Sequence, residues 1–320
     1  LKPSLYDRRL KILASPAKTL SMRDNWERAI NVTQGEWVTF IGDDDILSPD
    51  LVLFLRAMVH NNPNATDFDS LKWRTINFSW KGVDVDGRRN NTTVPIEGDK
   101  VRIFESRKYL DNLLRWNLPE RTMGSGPSIY HGVWKRSLIN KVRDLNNGVV
   151  FDAQTVDYDA GYNALFVTNK FIILERAFSI MGACPDSNSA SVLDYKVKEF
   201  IQQNWIKESG GIDGLEKGFY MPCSLTLTVY FFSKYWMKKH NYFVDVNYVN
   251  VIHGLARELM SIDPEYFDNF KEELINFLQT TELAEFLSEF NPTKREKHAI
   301  GWNGLMNGAV VLNPDKYADR

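Results

Sequence analysis

The chain has 320 residues, of which 43% are hydrophobic, 13% aromatic and 25% charged, a balance that excludes disordered, collagen-like and coiled-coil classes. That length suits about two average domains, or one large α/β domain with an appendage. The 39 Lys and Arg against 41 Asp and Glu leave a net charge of -2, so no overall field draws the chain to a polyanion and no nucleic-acid partner is expected. Two cysteines, Cys184 and Cys223, are too few for a disulfide framework or a four-ligand zinc site, which fits a reducing, cytoplasmic setting. The most apolar stretches, 171–180 and 221–236, are broken by Glu175, Arg176, Ser233 and Lys234, so no membrane span is expected. The Asn-x-Ser/Thr triplets at Asn31, Asn64, Asn77, Asn90 and Asn91 arise readily in Asn-rich sequence and carry little weight.

In chain order, Leu10 to Ala14 is a short apolar run stopped by Ser15-Pro16 and reads as a buried strand. Ser21-x-x-Asp24 resembles a capping box, and Trp26, Ala29, Ile30 and Thr33 follow at helical spacing until Gly35. Trp37 to Ile41 is apolar, β-branched and aromatic, the pattern of a strand buried on both faces. It runs into Gly42-Asp43-Asp44-Asp45, after which Ser48-Pro49-Asp50 starts a helix over Leu51 to His60. Hairpin or edge strands are predicted over Ser70 to Trp80 and Lys81 to Val85, and a helix over Ser106 to Trp116. A flexible turn at Gly124 to Pro127 leads into Ser128 to Trp134. A second α/β stretch has a helix near Arg136 to Leu145, an acidic loop at Asp152 to Asp159, a helix from Ala160 to Val167 and a strand from Phe171 to Leu174. Beyond a soft boundary between Ala183 and Ser191 the periodicity is mainly helical. Asp263-Pro264 marks one helix start, with Phe267, Phe270, Leu274, Phe277 and Leu278 on one face.

Asp43, Asp44 and Asp45 carry the strongest chemical signal. Adjacent carboxylates repel one another, and at the end of an apolar strand they need a cation or a set of donors. Hard divalent ions take oxygen ligands, commonly one or two carboxylates plus substrate phosphates, and Asp43-x-Asp45 suits that arrangement. The competing reading is a solvated acidic loop that only caps the next helix. No phosphate cradle of the P-loop type and no G-x-S-x-G nucleophile motif occurs.

The residues from Ser21-Met22-Arg23-Asp24-Asn25-Trp26-Glu27-Arg28-Ala29 through Gly35-Glu36-Trp37 to Asp43-Asp44-Asp45-Ile46-Leu47-Ser48-Pro49 resemble the central segment of family 2 type glycosyltransferases. The resemblance is strongest over residues 10–60, is traceable to about 190, and ends there. It implies a GT-A-like α/β fold, a Rossmann-type mixed sheet flanked by helices, over residues 1–187, with a mostly helical extension over 188–320. Members of that family begin with a first βαβ unit that has no counterpart before Leu10, so either about forty to fifty residues are missing upstream, the simpler expectation, or the chain is a degenerate version. By the same resemblance Asp43 and Asp45 hold Mn²⁺ or Mg²⁺ against the diphosphate of a nucleotide-sugar donor. Asp43 and Asp44 would then stand beside that donor, with Arg23 and Asn25 toward phosphate or ribose.

The implied activity is a metal-dependent, inverting glycosyl transfer to a polysaccharide, glycolipid or protein acceptor. The alternative is a non-catalytic nucleotide-sugar-binding or assembly subunit that keeps the acidic loop. Displacement at the anomeric carbon needs a base, for which Asp157 and Asp159 are the candidates, Asp157 first. Either is also an ordinary helix N-cap. Gly126 to Gly132 sits where similar enzymes form the acceptor side of the cleft, and His131 is a substrate contact or a structural residue. Ser187-Asn188-Ser189 resembles a loop that closes over such a site. Val229 to His240 mixes aromatics with lysines, as does a helix resting on the inner face of a membrane or a core helix with a cationic last turn. The helical part is expected to shape acceptor choice or homo-oligomerisation.

Overall fold

The computed structural model describes residues 9–61, 68–80, 83, 92–96, 98, 100–117, 124–185, 207, 224–296, 304–306 and 309–312. Its centre is a parallel pair of long strands, β3 (Ser70–Ser79) and β7 (Lys170–Ala183), registered from Leu71↔Ile172 to Ser79↔Ala183 with irregularities around Arg74. Around this pair the sheet is mixed. On the outer side of β3, β6 (Gly132–Lys135) pairs antiparallel with its first residues and β4 (Thr92–Pro95) with its last. On the outer side of β7, β5 (Val101–Glu105) and β2 (Ile46–Leu47) pair antiparallel at opposite ends. β1 (Trp37–Val38) borders β6.

The helices follow from local signals. α1 (Met22–Ile30) is capped by Ser21, whose Oγ accepts from Asp24 N at 3.1 Å. α2 (Asp50–Asn61) begins where Ser48 and Pro49 direct it, with Asp50 N donating to Ser48 Oγ at 3.3 Å. α3 (Ser106–Leu114), α4 (Arg136–Leu145) and α5 (Val156–Val167) pack on the sheet. Several expectations about extent change. Trp37 to Ile41 forms a ladder only at 37–38, because the pairing switches at Phe40 to an isolated parallel bridge with Tyr130, and Ile41 is exposed. β7 runs nine residues past Leu174, its polar Glu175 and Arg176 being paired with Arg102 and Asp50 at the sheet surface. α5 starts at Val156, so Asp157 and Asp159 are first-turn residues and neither is the N-cap. Leu10 to Ala14 is irregular and exposed, with Ile12 at 70%, and is tethered by Lys11 Nζ to Val32 O and by Arg28 to Ala14 O. Apart from Val83, residues 81–85 lie outside the described residues, as do Ser187 to Ser189 and Cys223.

The C-terminal part contributes α6 (Leu225–Lys239), α7 (Tyr248–Leu259), α8 (Phe267–Leu278) and a 3₁₀ helix at Glu282–Glu289. α8 begins four residues after Asp263, which instead holds a turn by accepting from Glu265 N and Tyr266 N. These helices share one apolar core with α3 and α5, in which Trp236, Tyr230, Tyr162 and Trp116 are fully enclosed. Burying each such ring contributes about 2–3 kcal/mol. Tyr230 and Lys234 both meet Glu282. The aromatics of 229–240 thus face protein: α6 is the core helix of the two readings, and its last turn carries Lys238 and Lys239. Past the helices the chain returns to the sheet, since β9 (Ala309–Leu312) pairs with β4 and with β8 (Gly304–Met306). Among the described residues no helix is long and apolar enough to cross a membrane.

Two features of this packing can be tested. A Cβ on Gly161 would lie 1.5 Å from the carbonyl oxygen of Ser125, so Gly161→Ala should cost about 3 kcal/mol in urea unfolding. His240 sits between Trp236 and Phe166 with Nε2 buried and without a hydrogen-bond partner. Burial, then the nearby Lys239, hold its imidazole down from 6.5 to about 4, while Asp152 pulls it up. A folded-state value below the unfolded one means that the neutral ring stabilises above about pH 6.5 and that this contribution is lost as pH falls toward 4. The Tm difference between wild type and His240→Phe should therefore shift in the variant's favour as pH drops through that window.

Candidate functional site

The acidic loop crosses the sheet from β1 to β2. Phe40 N donates to Ile129 O at 3.1 Å and His131 N donates to Phe40 O at 3.3 Å, which seats the start of the loop against the segment entering β6. Asp45 then turns inward. Its side chain has no exposure. Oδ2 accepts from Gly42 N at 2.5 Å and from the Tyr130 hydroxyl at 2.9 Å, and Oδ1 accepts from Gly182 N, near the end of β7, at 2.8 Å. His131 Nε2 lies 3.2 Å from Oδ2, at ion-pair distance but poorly aligned for a hydrogen bond. Burial alone would raise the carboxyl; His131 and the two backbone donors more than offset it and hold the pKa at about 2.

Asp44 is half-buried, its Oδ2 accepting from Cys184 N at 3.3 Å and its carbonyl from Trp80 Nε1 at 3.0 Å. The loop lies so close to β7 that a Cβ on Gly182 would be 1.9 Å from Asp44 O, a spacing that only glycine permits. Asp43 is exposed.

Behind Asp45, His131 adopts φ 50, a left-handed conformation rare for a side-chain-bearing residue. It is held there by Nδ1, 2.8 Å from Ser179 Oγ, which in turn accepts from Trp73 Nε1 at 2.7 Å. Carboxylate, imidazole and hydroxyl in series resemble a hydrolase triad. Ser179, however, is buried and its oxygen receives an indole N–H, so the series is internal support and offers no nucleophile to a substrate.

The second acidic group enters from α5. Asp157 is partly accessible yet closely surrounded by protein, as at the floor of a recess. Burial pushes its carboxyl up, while its own N–H, that of Tyr158 and the charge of Lys72 on β3 pull it back. Tyr130 lies within the fields of both acidic groups: burial, Asp45, Asp44 and Asp157 all push its phenol up, which keeps it protonated. The rings of Phe40, Tyr130 and Phe151 lie around Trp26 with centroids 5.0, 5.6 and 5.3 Å away. Asp159 is different. It is buried, accepts from Asp152 N, Ala153 N and Asn163 Nδ2 at 2.8, 3.1 and 2.8 Å, and ties the 152–155 loop to α5.

Of the residues expected at the site, the structure bonds Asp45 to Tyr130, brings Asp44 and Asp157 within the range of their fields on that phenol, leaves Asp43 exposed on the same loop, and commits Asp159 to the 152–155 loop. Arg23 pairs with the adjacent Asp24, Asn25 is exposed, and among the described residues neither hydrogen-bonds the acidic loop. Glu27, passed over in the sequence, accepts from Val150 N at 2.8 Å and Phe151 N at 3.1 Å and so anchors the chain leading to α5. Lys72 and Tyr130 also lacked a motif signal. Their roles come from β3 and β6 being neighbours, with Lys72 in register with Gly132.

Among the described residues no three His, Cys, Asp or Glu side chains are grouped to hold a metal ion. The exposed Asp43, with the half-buried Asp44 whose Oδ2 is already bonded to Cys184 N, fits an ion that arrives with substrate phosphates; the enclosed Asp45 does not present itself to one. No protein-family model matches the chain, and no curated protein matches it. Removing the buried acceptor with Asp159→Ala should leave two backbone N–H groups unsatisfied and cost about 2–4 kcal/mol, measured by chemical denaturation.

Proposed function

We propose that this chain transfers a sugar from a nucleotide-diphosphate donor to a hydroxyl of a carbohydrate, lipid-linked or protein acceptor, with inversion at the anomeric carbon. The observation that carries the reading is that the recessed Asp157 carboxylate lies close enough to the strand-end acidic loop for Asp44, Asp45 and Asp157 all to act on the Tyr130 phenol. The mixed α/β architecture and the likeness of residues 10–60 to family 2 type glycosyltransferases support it, including the finer assignment of a GT-A-like fold. An Mn²⁺ or Mg²⁺ ion, when bound, would lie on Asp43 and Asp44 and neutralise the departing diphosphate.

The chain's own residues do the rest. Asp157 accepts the proton of the attacking hydroxyl as the new C–O bond forms and the anomeric carbon–diphosphate bond breaks. Its raised pKa makes it a stronger base than an exposed carboxylate. The charge of Lys72 opposes part of that rise and so favours the ionised form. Tyr130, neutral and anchored to Asp45, sits in the fields of both acidic groups without adding charge.

Transfer assays with a panel of nucleotide sugars and hydroxyl acceptors test this directly. Asp157→Asn should lower kcat by about 100-fold or more with Tm within about 2 °C of wild type. Equal turnover by the variant would refute the assignment of the base. Stabilisation by a donor without turnover in the wild-type chain would favour the binding-subunit alternative.

A further inference from the structure

We propose that Asp45 is a positioning residue that fastens the acidic loop to the acceptor side of the site, and that it is not an ion ligand. This inference rests on the proposed function only for the ion itself; the fastening stands on geometry. Three separate parts of the chain meet at this one side chain. Gly42 is three residues away, Tyr130 85 and Gly182 137, and each donates a hydrogen bond to it. His131 adds a fourth neighbour that has no other partner at Nε2, and its left-handed backbone is supported from behind by Ser179 and Trp73.

A carboxylate that completes a cation site keeps lone pairs toward the cation and leaves its neighbours repelling one another until the ion arrives. Asp45 does the reverse: with no exposure and both oxygens bonded, its charge is already satisfied by protein donors. The consequence is mechanical. Through Tyr130, Asp45 holds the loop that carries Asp43 and Asp44 against the segment entering β6. Through Gly182 it fixes the loop to the end of β7, where a side chain would not fit.

The two roles make opposite predictions for the metal-free protein. If Asp45 fastens the loop, Asp45→Asn turns one acceptor oxygen into a donor facing an N–H, and Tm should fall by about 5–10 °C. If it is a ligand, the same change relieves repulsion within the acidic triplet, and Tm should hold or rise. Mn²⁺ binding in the presence of inorganic pyrophosphate, followed by the loss of free Mn²⁺ signal in electron paramagnetic resonance, supplies the second readout. We expect Asp43→Asn to weaken it about tenfold with Tm unchanged, and Asp45→Asn to leave it within about threefold of wild type. Tyr130→Phe, which removes only one donor, should lower Tm by a few degrees and add little more when combined with Asp45→Asn.

An unchanged Tm together with lost Mn²⁺ binding in Asp45→Asn would overturn the proposal. Should that variant not fold, the metal-free Tm of Tyr130→Phe decides, and no loss there would count against it equally. None of these readouts depends on sugar transfer, so a failure of the glycosyltransferase reading leaves them interpretable.

Discussion

The Asp45 carboxylate is cut off from water, and taking such a charge out of solvent costs several kcal/mol unless protein groups replace the hydration. Here the replacement comes from Gly42, Tyr130, Gly182 and His131, and hydrogen bonds to a charged acceptor are worth about 1.5–3 kcal/mol each. Those donors belong to segments far apart in sequence that the β1–β6 and β2–β7 ladders bring alongside one another. The bonds that satisfy the charge therefore also set where the acidic loop, the turn into β6 and the end of β7 stand relative to one another. The left-handed His131 and the glycine at 182 are local costs accepted to let them approach.

A second set of bonds does for α5 what Asp45 does for the loop. Asp159 gathers Asp152 N and Ala153 N, and Asn163 links that carboxylate to the indole of Trp236 at 2.9 Å. The helix that carries Asp157 is thereby fixed at its start by its own first turn and along its length by α6. Tyr162 and Ser233, 3.3 Å apart, reinforce the same contact. The C-terminal helices are thus part of the framework that holds the recess, packed into one core with α3 and α5.

How far these arrangements could be read from sequence depends on the range of the forces involved. The starts of α1 and α2 were legible because Ser21 and the Ser48-Pro49-Asp50 run act within one turn, and the buried face of α8 because its apolar spacing is local. The extents of β1 and β7 were not, since a strand ends where its partner ends and the partners lie far along the chain. At the site, the triplet marked the loop, but nothing local distinguishes Asp45 from Asp43. The difference lies in donors 85 and 137 residues away. Asp157 and Asp159 were equally ambiguous until α5 was placed, because two residues along a helix turn one carboxylate to a recess and the other to the loop behind it.

The return of the chain to the sheet after the helices has a consequence for how the protein is made. β4 is bonded to β3 on one edge and to β9 on the other, so a ribosome that has released the described helices still leaves the outer edge of β4 without its β9 partner until residues 309–312 emerge. An open strand edge is a template for pairing with another chain. Until then the short Thr92–Pro95 strand, with its terminal proline, presents an unpaired edge, and its closure by β9 waits on a segment more than 200 residues further along the chain.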